Sequence, residues 1–296
     1  MEFGRVNNDE LEAIDFALPP DVMLSTHNPS GELNQTTFFI GCAKWGRKDW
    51  VGTVYPPKTR EADFLAHYAR HFNSIELNAT FYKLPRKAQA EKWSEKVGES
   101  FLFCPKISQS ISHIRRLKNA AETTERFLDG IAGFGNKLGP VLLMPHPAMG
   151  PKSLDTLSEY LDSLPDDINV FVELRHPDWF DRDTITSVCN ILSARNAGFV
   201  VTDASGRRDC VHMHFTIPEA FIRFVGNGLH PTDYTRIDAW VERIGDWMSK
   251  GIRKVYFFMH QHEELHSPVL CKYLIEQLNH KLNLNIPVPA LHKAES

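Results

Sequence analysis

Ser74-Ile75-Glu76-Leu77-Asn78 reads as a short strand, apolar on one face and charged on the other. With a side-chain period of two, Ile75 and Leu77 point toward a covering helix, while Glu76 and Asn78 share the opposite face. Phe171-Val172-Glu173-Leu174-Arg175 repeats the design, with Glu173 and Arg175 on one side. Charge is costly to bury unless paired, so strands of this kind are best placed around a common polar interior.

Working outward from these two, similar short runs rich in Val, Ile or Phe occur at Thr37–Cys42, Phe101–Lys106, Pro140–Met144, Gly198–Thr202, Ala220–Val225 and Lys254–Met259. Each has the length and apolarity of a parallel strand covered on both faces. Between them lie helical stripes: Phe64, Leu65, Tyr68, Ala69 and Phe72; Leu154, Leu157, Leu161 and Leu164 behind Ser153; Ile185, Val188, Cys189 and Leu192. Ile237, Trp240, Val241, Ile244, Trp247 and Met248 form the strongest stripe, with Gly251 placed to end it, and Ser267-Pro268 opens a last helix. Strands alternating with helices predict an α/β chain whose eight parallel strands close into a (β/α)8 TIM-type barrel over residues 36–286. Residues 1–35 read as an irregular N-terminal arm and 287–296 as a C-terminal tail. Residues 203–219, between the sixth and seventh strands, have little helical pattern and are expected to form a loop or a single turn. A doubly wound open sheet is the alternative, but no G-x-G-x-x-G follows any strand.

Composition narrows the function classes. Lys and Arg number 33 against 37 Asp and Glu, a formal charge of −4, which disfavours a nucleic-acid scaffold or a membrane-surface protein. The five cysteines are scattered without a C-x-x-C pair, and no apolar stretch is long enough to span a bilayer. A reduced, cytoplasmic protein is the simplest expectation, with no membrane partner.

Charges interrupt the strands near their C-terminal ends, where barrel enzymes place their chemistry. Glu76, Lys106, Glu173, Arg175, Asp203 and Arg223 are expected to meet in one polar cluster, with Asn78 beside Glu76. The bland reading is a set of mutual salt bridges plugging the barrel. The functional reading makes Glu76 and Glu173 the acid/base pair and Lys106, Arg175 and Arg223 the holders of an anionic or polyhydroxylated small molecule. His260, ending the eighth strand, could titrate near neutrality, with His113 and His176 as weaker candidates. Tyr82 and Trp179, in loops after strands, could wall the ligand, as could Trp45, Trp50, Tyr55 and Phe81. Three cations opposite three carboxylates leave little negative charge for a divalent ion, so no metal and no cofactor are expected. His212-Met213-His214 and His260-Gln261-His262 keep a chelating alternative open.

Gly41 to Trp45, Trp50, Tyr55-Pro56, the run from Phe72 to Tyr82, Lys106, Ser112-His113, Leu138-Gly139-Pro140, Glu173-Leu174-Arg175-His176-Pro177-Asp178-Trp179 and Asp203 resemble the YecE-like family, domain of unknown function seventy-two. The resemblance runs from about residue 37 to 280. It implies a TIM-type barrel with a polar pocket at the strand ends and brings no established reaction with it. Met144 stands where a glutamine is usual, Val225 replaces the histidine of an Arg-x-His-Gly stretch, and His260-Gln261 takes the place of an asparagine pair.

Three functions compete on these residues. The first is a metal-independent enzyme for a small anionic or sugar-like substrate. The second is a metal-dependent hydrolase or isomerase, phosphodiester cleavage included. The third is a non-catalytic binder of a metabolite.

Overall fold

The computed structural model describes residues 3–22 and 36–291. The parts of the expected arm and tail at 1–2, 23–35 and 292–296 lie outside the described residues. Eight strands run β1 (Thr37–Cys42), β2 (Ser74–Leu77), β3 (Leu102–Pro105), β4 (Val141–Leu143), β5 (Val170–Val172), β6 (Gly198–Asp203), β7 (Glu219–Gly226) and β8 (Lys254–Gln261). The helices are α1 (Phe64–Tyr68), α2 (Ala79–Tyr82), α3 (Lys87–Ser94), α4 (Ala121–Ala132), α5 (Leu154–Asp162), α6 (Arg182–Ala194), α7 (Pro231–Ser249) and α8 (Ser267–Leu282). Every strand pairing is parallel. The β6–β7 connection holds one 3-10 turn, Arg208–Cys210.

The expectation of a closed eight-stranded barrel is corrected. Six strands form one curled half-barrel sheet in the order β1-β8-β7-β6-β5-β4, and β2 and β3 form a separate two-stranded sheet. The physical cause lies at two seams. Between β1 and β2 the backbone ladder is replaced by side chains. The Asn73 amide donates to Phe38 O at 2.7 Å and accepts from Ile40 N at 2.9 Å. Tyr68 Oη accepts from Cys42 N at 2.7 Å and donates to Ser74 O at 2.9 Å. Gly41 permits this approach, because a Cβ there would lie 1.9 Å from Ser74 O. At the other seam Pro105 has no N–H to offer β4. The ladder there shrinks to two isolated parallel bridges, Phe103 with Leu138 and Lys106 with Leu142, carried by bonds such as Gly139 N to Phe103 O at 2.8 Å and Ile107 N to Leu142 O at 2.9 Å.

Alternation along the strands sorts side chains into two cores. The outer core joins the sheets to the helices and includes Ile237, Trp240, Val241, Ile244 and Trp247 of α7, all fully buried. The inner core is small and aromatic, with Cys104, Leu142, Phe171, Val200, Phe221, Tyr256 and Phe258 against Phe39. Phe171 and Tyr256 meet edge to face with centroids 5.8 Å apart. Above this apolar floor, at the C-terminal strand ends, the inward positions turn ionic.

Residues 3–22 are docked rather than trailing. Leu11 of a 3-10 helix at Asn8–Ala13 is fully buried. Gly206 N donates to Gly4 O at 2.8 Å. Further along, Asp21 accepts from Trp247 Nε1 and pairs with Arg243, both at 3.0 Å.

Candidate functional site

The inward positions of β2, β5, β7 and β8 build a buried chain of alternating charge. Arg175 Nε donates to Glu173 Oε1 at 2.9 Å. Arg223 Nη1 bonds both oxygens of Glu173, at 2.7 and 2.8 Å. The other edge of the same guanidinium takes Glu76, with Nε to Oε2 at 2.8 Å and Nη2 to Oε1 at 2.9 Å. His260 Nε2 meets Glu76 Oε2 at 2.9 Å, and its Nδ1 lies 3.5 Å from Glu264 Oε1. Arg223 and Glu76 are fully buried. Bidentate geometry on both sides of one guanidinium is what makes such a chain tolerable in a dry interior.

The electrostatics follow from these contacts. Burial pushes the Glu76 carboxyl up, but Arg223 and His260 outweigh it and hold the group well below the usual carboxylate range. Against the same desolvation, Arg175 and Arg223 hold Glu173 at about 2. His260 is raised because Glu76 overcomes the cost of burying an imidazolium. Asn78 Nδ2 and Thr202 Oγ1 complete the carboxylate shells, at 2.9 Å to Glu76 and 3.0 Å to Glu173.

Lys106 sits in the same layer at the end of β3, 5% exposed. Among the described residues its amine has no hydrogen-bond acceptor and no ion pair; Nζ lies 4.8 Å from the Phe81 ring centroid. Burial and then Arg223 lower its pKa to about 7, against the pull of Glu173. Beside it, the His113 ring meets Phe81 edge-on at 4.9 Å and His146 at 5.2 Å. Its Nδ1 is 2.9 Å from Ser112 Oγ, within a π-helical turn at Ser110–Ile114. Desolvation, then His146, push His113 down to about 4, so it is neutral near pH 7.

The structure thus brings Glu76, Asn78, Lys106, Glu173, Arg175, Arg223 and His260 together. It does not bring Asp203, Trp179 or Tyr82 to them. On β6 it is Thr202 that faces Glu173, so by alternation Asp203 faces α7. There Asp203 accepts from Arg236 Nη2 at 2.8 Å and Trp240 Nε1 at 2.7 Å, and pairs with Arg208. Trp179 is buried in the outer core, donating to Met149 O of the β4–α5 connection at 2.7 Å. Tyr82 is 73% exposed, whereas Phe81, also expected as an aromatic wall, lies against Lys106. His212 is a packed core residue, 3.9 Å centroid to centroid from Phe199 and 2.9 Å from Val200 O, and burial lowers it to about 3.

Four participants were not among the expected site residues, although Ser112 stands in the stretch that carries the family resemblance. Thr202 had the correct parity, and Glu264 stands four residues after His260. Ser112 carried no periodic signal. Phe3 carried none either: its ring centroid lies 4.0 Å from the Arg175 guanidinium carbon and 4.9 Å from that of Arg207. The N-terminal arm therefore covers one side of the ionic layer.

Residues 39–293 match the model of a family described as "Protein of unknown function DUF72". The chain belongs to the DUF72 family. A relative in Escherichia coli K12, the UPF0759 protein YecE, is 27% identical over 277 residues, covering 87% of this chain and 98% of that one. The Bacillus subtilis UPF0759 protein YunF is 29% identical over 149 residues, 48% of this chain and 52% of that one. Two solved DUF72 structures share the fold. One, from Enterococcus faecalis, has a TM-score of 0.65 at 18% identity, covering 85% of this chain and 97% of that one. The other, from Thermotoga maritima, has a TM-score of 0.63 at 21% identity, covering 84% of this chain and all of that one. Among the described residues no helix is long and apolar enough to cross a membrane.

Proposed function

We propose that the ionic layer is a metal-independent site for a small anionic or polyhydroxylated molecule. One observation carries this reading: each of the two cations at the edge of the layer lies against a phenyl ring and keeps N–H groups that no hydrogen-bond acceptor takes. Arg175 Nη2 is buried without a hydrogen-bond acceptor, lying 2.8 Å from Glu173 Oε1 but off the hydrogen-bonding direction. Lys106 has Phe81 in place of an acceptor. An orphaned buried donor is expensive, and a ligand anion is the partner that relieves the cost.

The roles expected for the two glutamates change with the geometry. Both are ionised across the working pH range, so neither is suited to deliver a proton. Glu76 is filled, each oxygen taking two donors, and serves as an anchor. Glu173 Oε2 takes only Arg223 Nη1 and keeps a lone pair for a ligand hydroxyl. We assign Arg223 and His260 to holding the layer, and Lys106, Arg175, Asn78 and Glu173 to the ligand.

The test is the melting temperature of the full chain with inorganic phosphate, citrate or glucose 6-phosphate, with glucose as the neutral control and EDTA throughout. Ligand at about a hundred times its Kd adds roughly 2.7 kcal/mol, a shift of several degrees. Saturable stabilisation by an anion, lost in Arg175→Met and kept in Asp203→Asn, is the expected result. Absence of a shift with every anion, or a shift that appears only when a divalent metal replaces EDTA, overturns the reading.

A further inference from the structure

A lysine in a layer of carboxylates ordinarily finds one of them. Here the acceptor sites nearest to hand are taken: both oxygens of Glu76 and Oε1 of Glu173 are saturated by Arg223, Arg175, His260, Asn78 and Thr202. Two guanidiniums stand in the same layer and repel a third positive charge. The amine rests on the face of Phe81, whose ring also meets that of His113. Such an arrangement favours a free amine lone pair, as desolvated lysines beside other cations do in imine-forming enzymes.

We propose that Lys106 is a nucleophilic amine that condenses with the carbonyl group of a small oxo acid held by Arg175. This deepens, and rests on, the anion-site reading above. The Nζ lone pair forms the C–N bond as the carbonyl π pair moves to oxygen. The carbinolamine then loses the C–O bond, and the nitrogen lone pair closes C=N. Both amine hydrogens leave with the carbonyl oxygen as water, so no oxidant or reductant is consumed. Arg175 Nη2, lacking an acceptor in the structure, receives the carboxylate of the acid. His113 abuts the same Phe81 ring and is neutral near pH 7, which suits it to pass the protons between nitrogen and oxygen. Tyr82 and Ile114, on the adjoining turns, are 73% and 75% exposed.

The experiment is reductive trapping on the full chain, with glyoxylate or pyruvate plus cyanoborohydride, read by intact mass and peptide mapping. The expected product is one adduct per chain on Lys106, formed at least tenfold faster than on any exposed lysine at pH 7. Its rate should rise with pH to a midpoint near 7. Lys106→Met, which keeps the volume and removes the amine, should lose that adduct without a lower melting temperature. Labelling spread over exposed lysines with Lys106 untouched overturns the imine proposal. Melting shifts with pyruvate and its hydroxyl analogue lactate separate the two readings. Equal shifts without trapping leave an anion site and remove the imine; no shift and no trapping remove both.

Discussion

Arg223→Met asks the fold to keep two buried carboxylates without the cation between them. The native guanidinium makes four charge-assisted hydrogen bonds, two to each glutamate. Each carboxylate keeps one other cation, Arg175 for Glu173 and His260 for Glu76, so the loss is partial. Breaking a buried pair costs about 3–5 kcal/mol, and at about 3 °C per kcal/mol the melting temperature should fall by roughly 10–15 °C at pH 7. The sign of the pH dependence is the sharper test. In the native chain both carboxyls lie below their unfolded values, so their contribution is present above about pH 4.3 and is lost as pH falls through the folded values, about 2 for Glu173. Without Arg223, burial is opposed only by the remaining cations, both carboxyls rise from their native values, and protonation on lowering the pH from 7 to 5 relieves part of the strain. Thermal melts from pH 8 to pH 5 should show the gap between variant and native chain narrowing by at least a third. Replacing both glutamates by Gln in the Arg223→Met background should narrow it further at pH 7. A variant that melts within about 3 °C of the native chain at pH 7, or a gap that stays constant with pH, refutes the assignment of this chain of charges as a structural bolt.

Three other outcomes follow from the same contacts. Lys106→Met should melt higher than the native chain at pH 6, because the native amine is protonated there at a cost; the folded pKa lies below the unfolded value, so the advantage should fade as pH rises from 7 toward 10. His260→Gln should lose stability most below pH 6.5: the native His260 is raised above that value, its contribution is complete below it, and melts at pH 6 and pH 9 should show the deficit shrinking on the alkaline side. Phe3→Ala removes a guanidinium–aromatic contact worth about 0.5–1 kcal/mol, so hydrogen exchange at residues 3–13 should quicken while that of β5 to β8 does not change.

Much of this was legible in the sequence. The alternation in Ser74 to Asn78 and in Phe171 to Arg175 placed Glu76 and Glu173 on one side, and the interrupted runs at Lys106, Arg223 and His260 named further members of the layer. Barrel closure was not legible. A strand's pattern reports which faces are covered, whereas its neighbour at the edge is decided by backbone groups. Here Asn73, Tyr68 and Gly41 took over that function at one seam, and Pro105 withdrew from it at the other. Asp203 was misplaced for a smaller reason. Thr202 and Asp203 are both polar, and only the arginine and tryptophan waiting on α7 decide which of them turns outward. The docking of Phe3 on Arg175 depends on a ring meeting a guanidinium across the chain, which no periodicity announces.

The two seams give Arg223 a second significance. Glu76 rides on the two-stranded sheet and Arg223 on the six-stranded one, so their salt bridge rivets two halves of the frame together. Descendants of this gene can seldom exchange that rivet, since the loss would loosen architecture and chemistry at once. Drift toward new ligands must therefore run through positions outside the rivet, such as Met144 and Val225, where this sequence already departs from the family's pattern. Lineages should diverge at such positions while Glu76, Arg223, Asn73 and Tyr68 are inherited as a set.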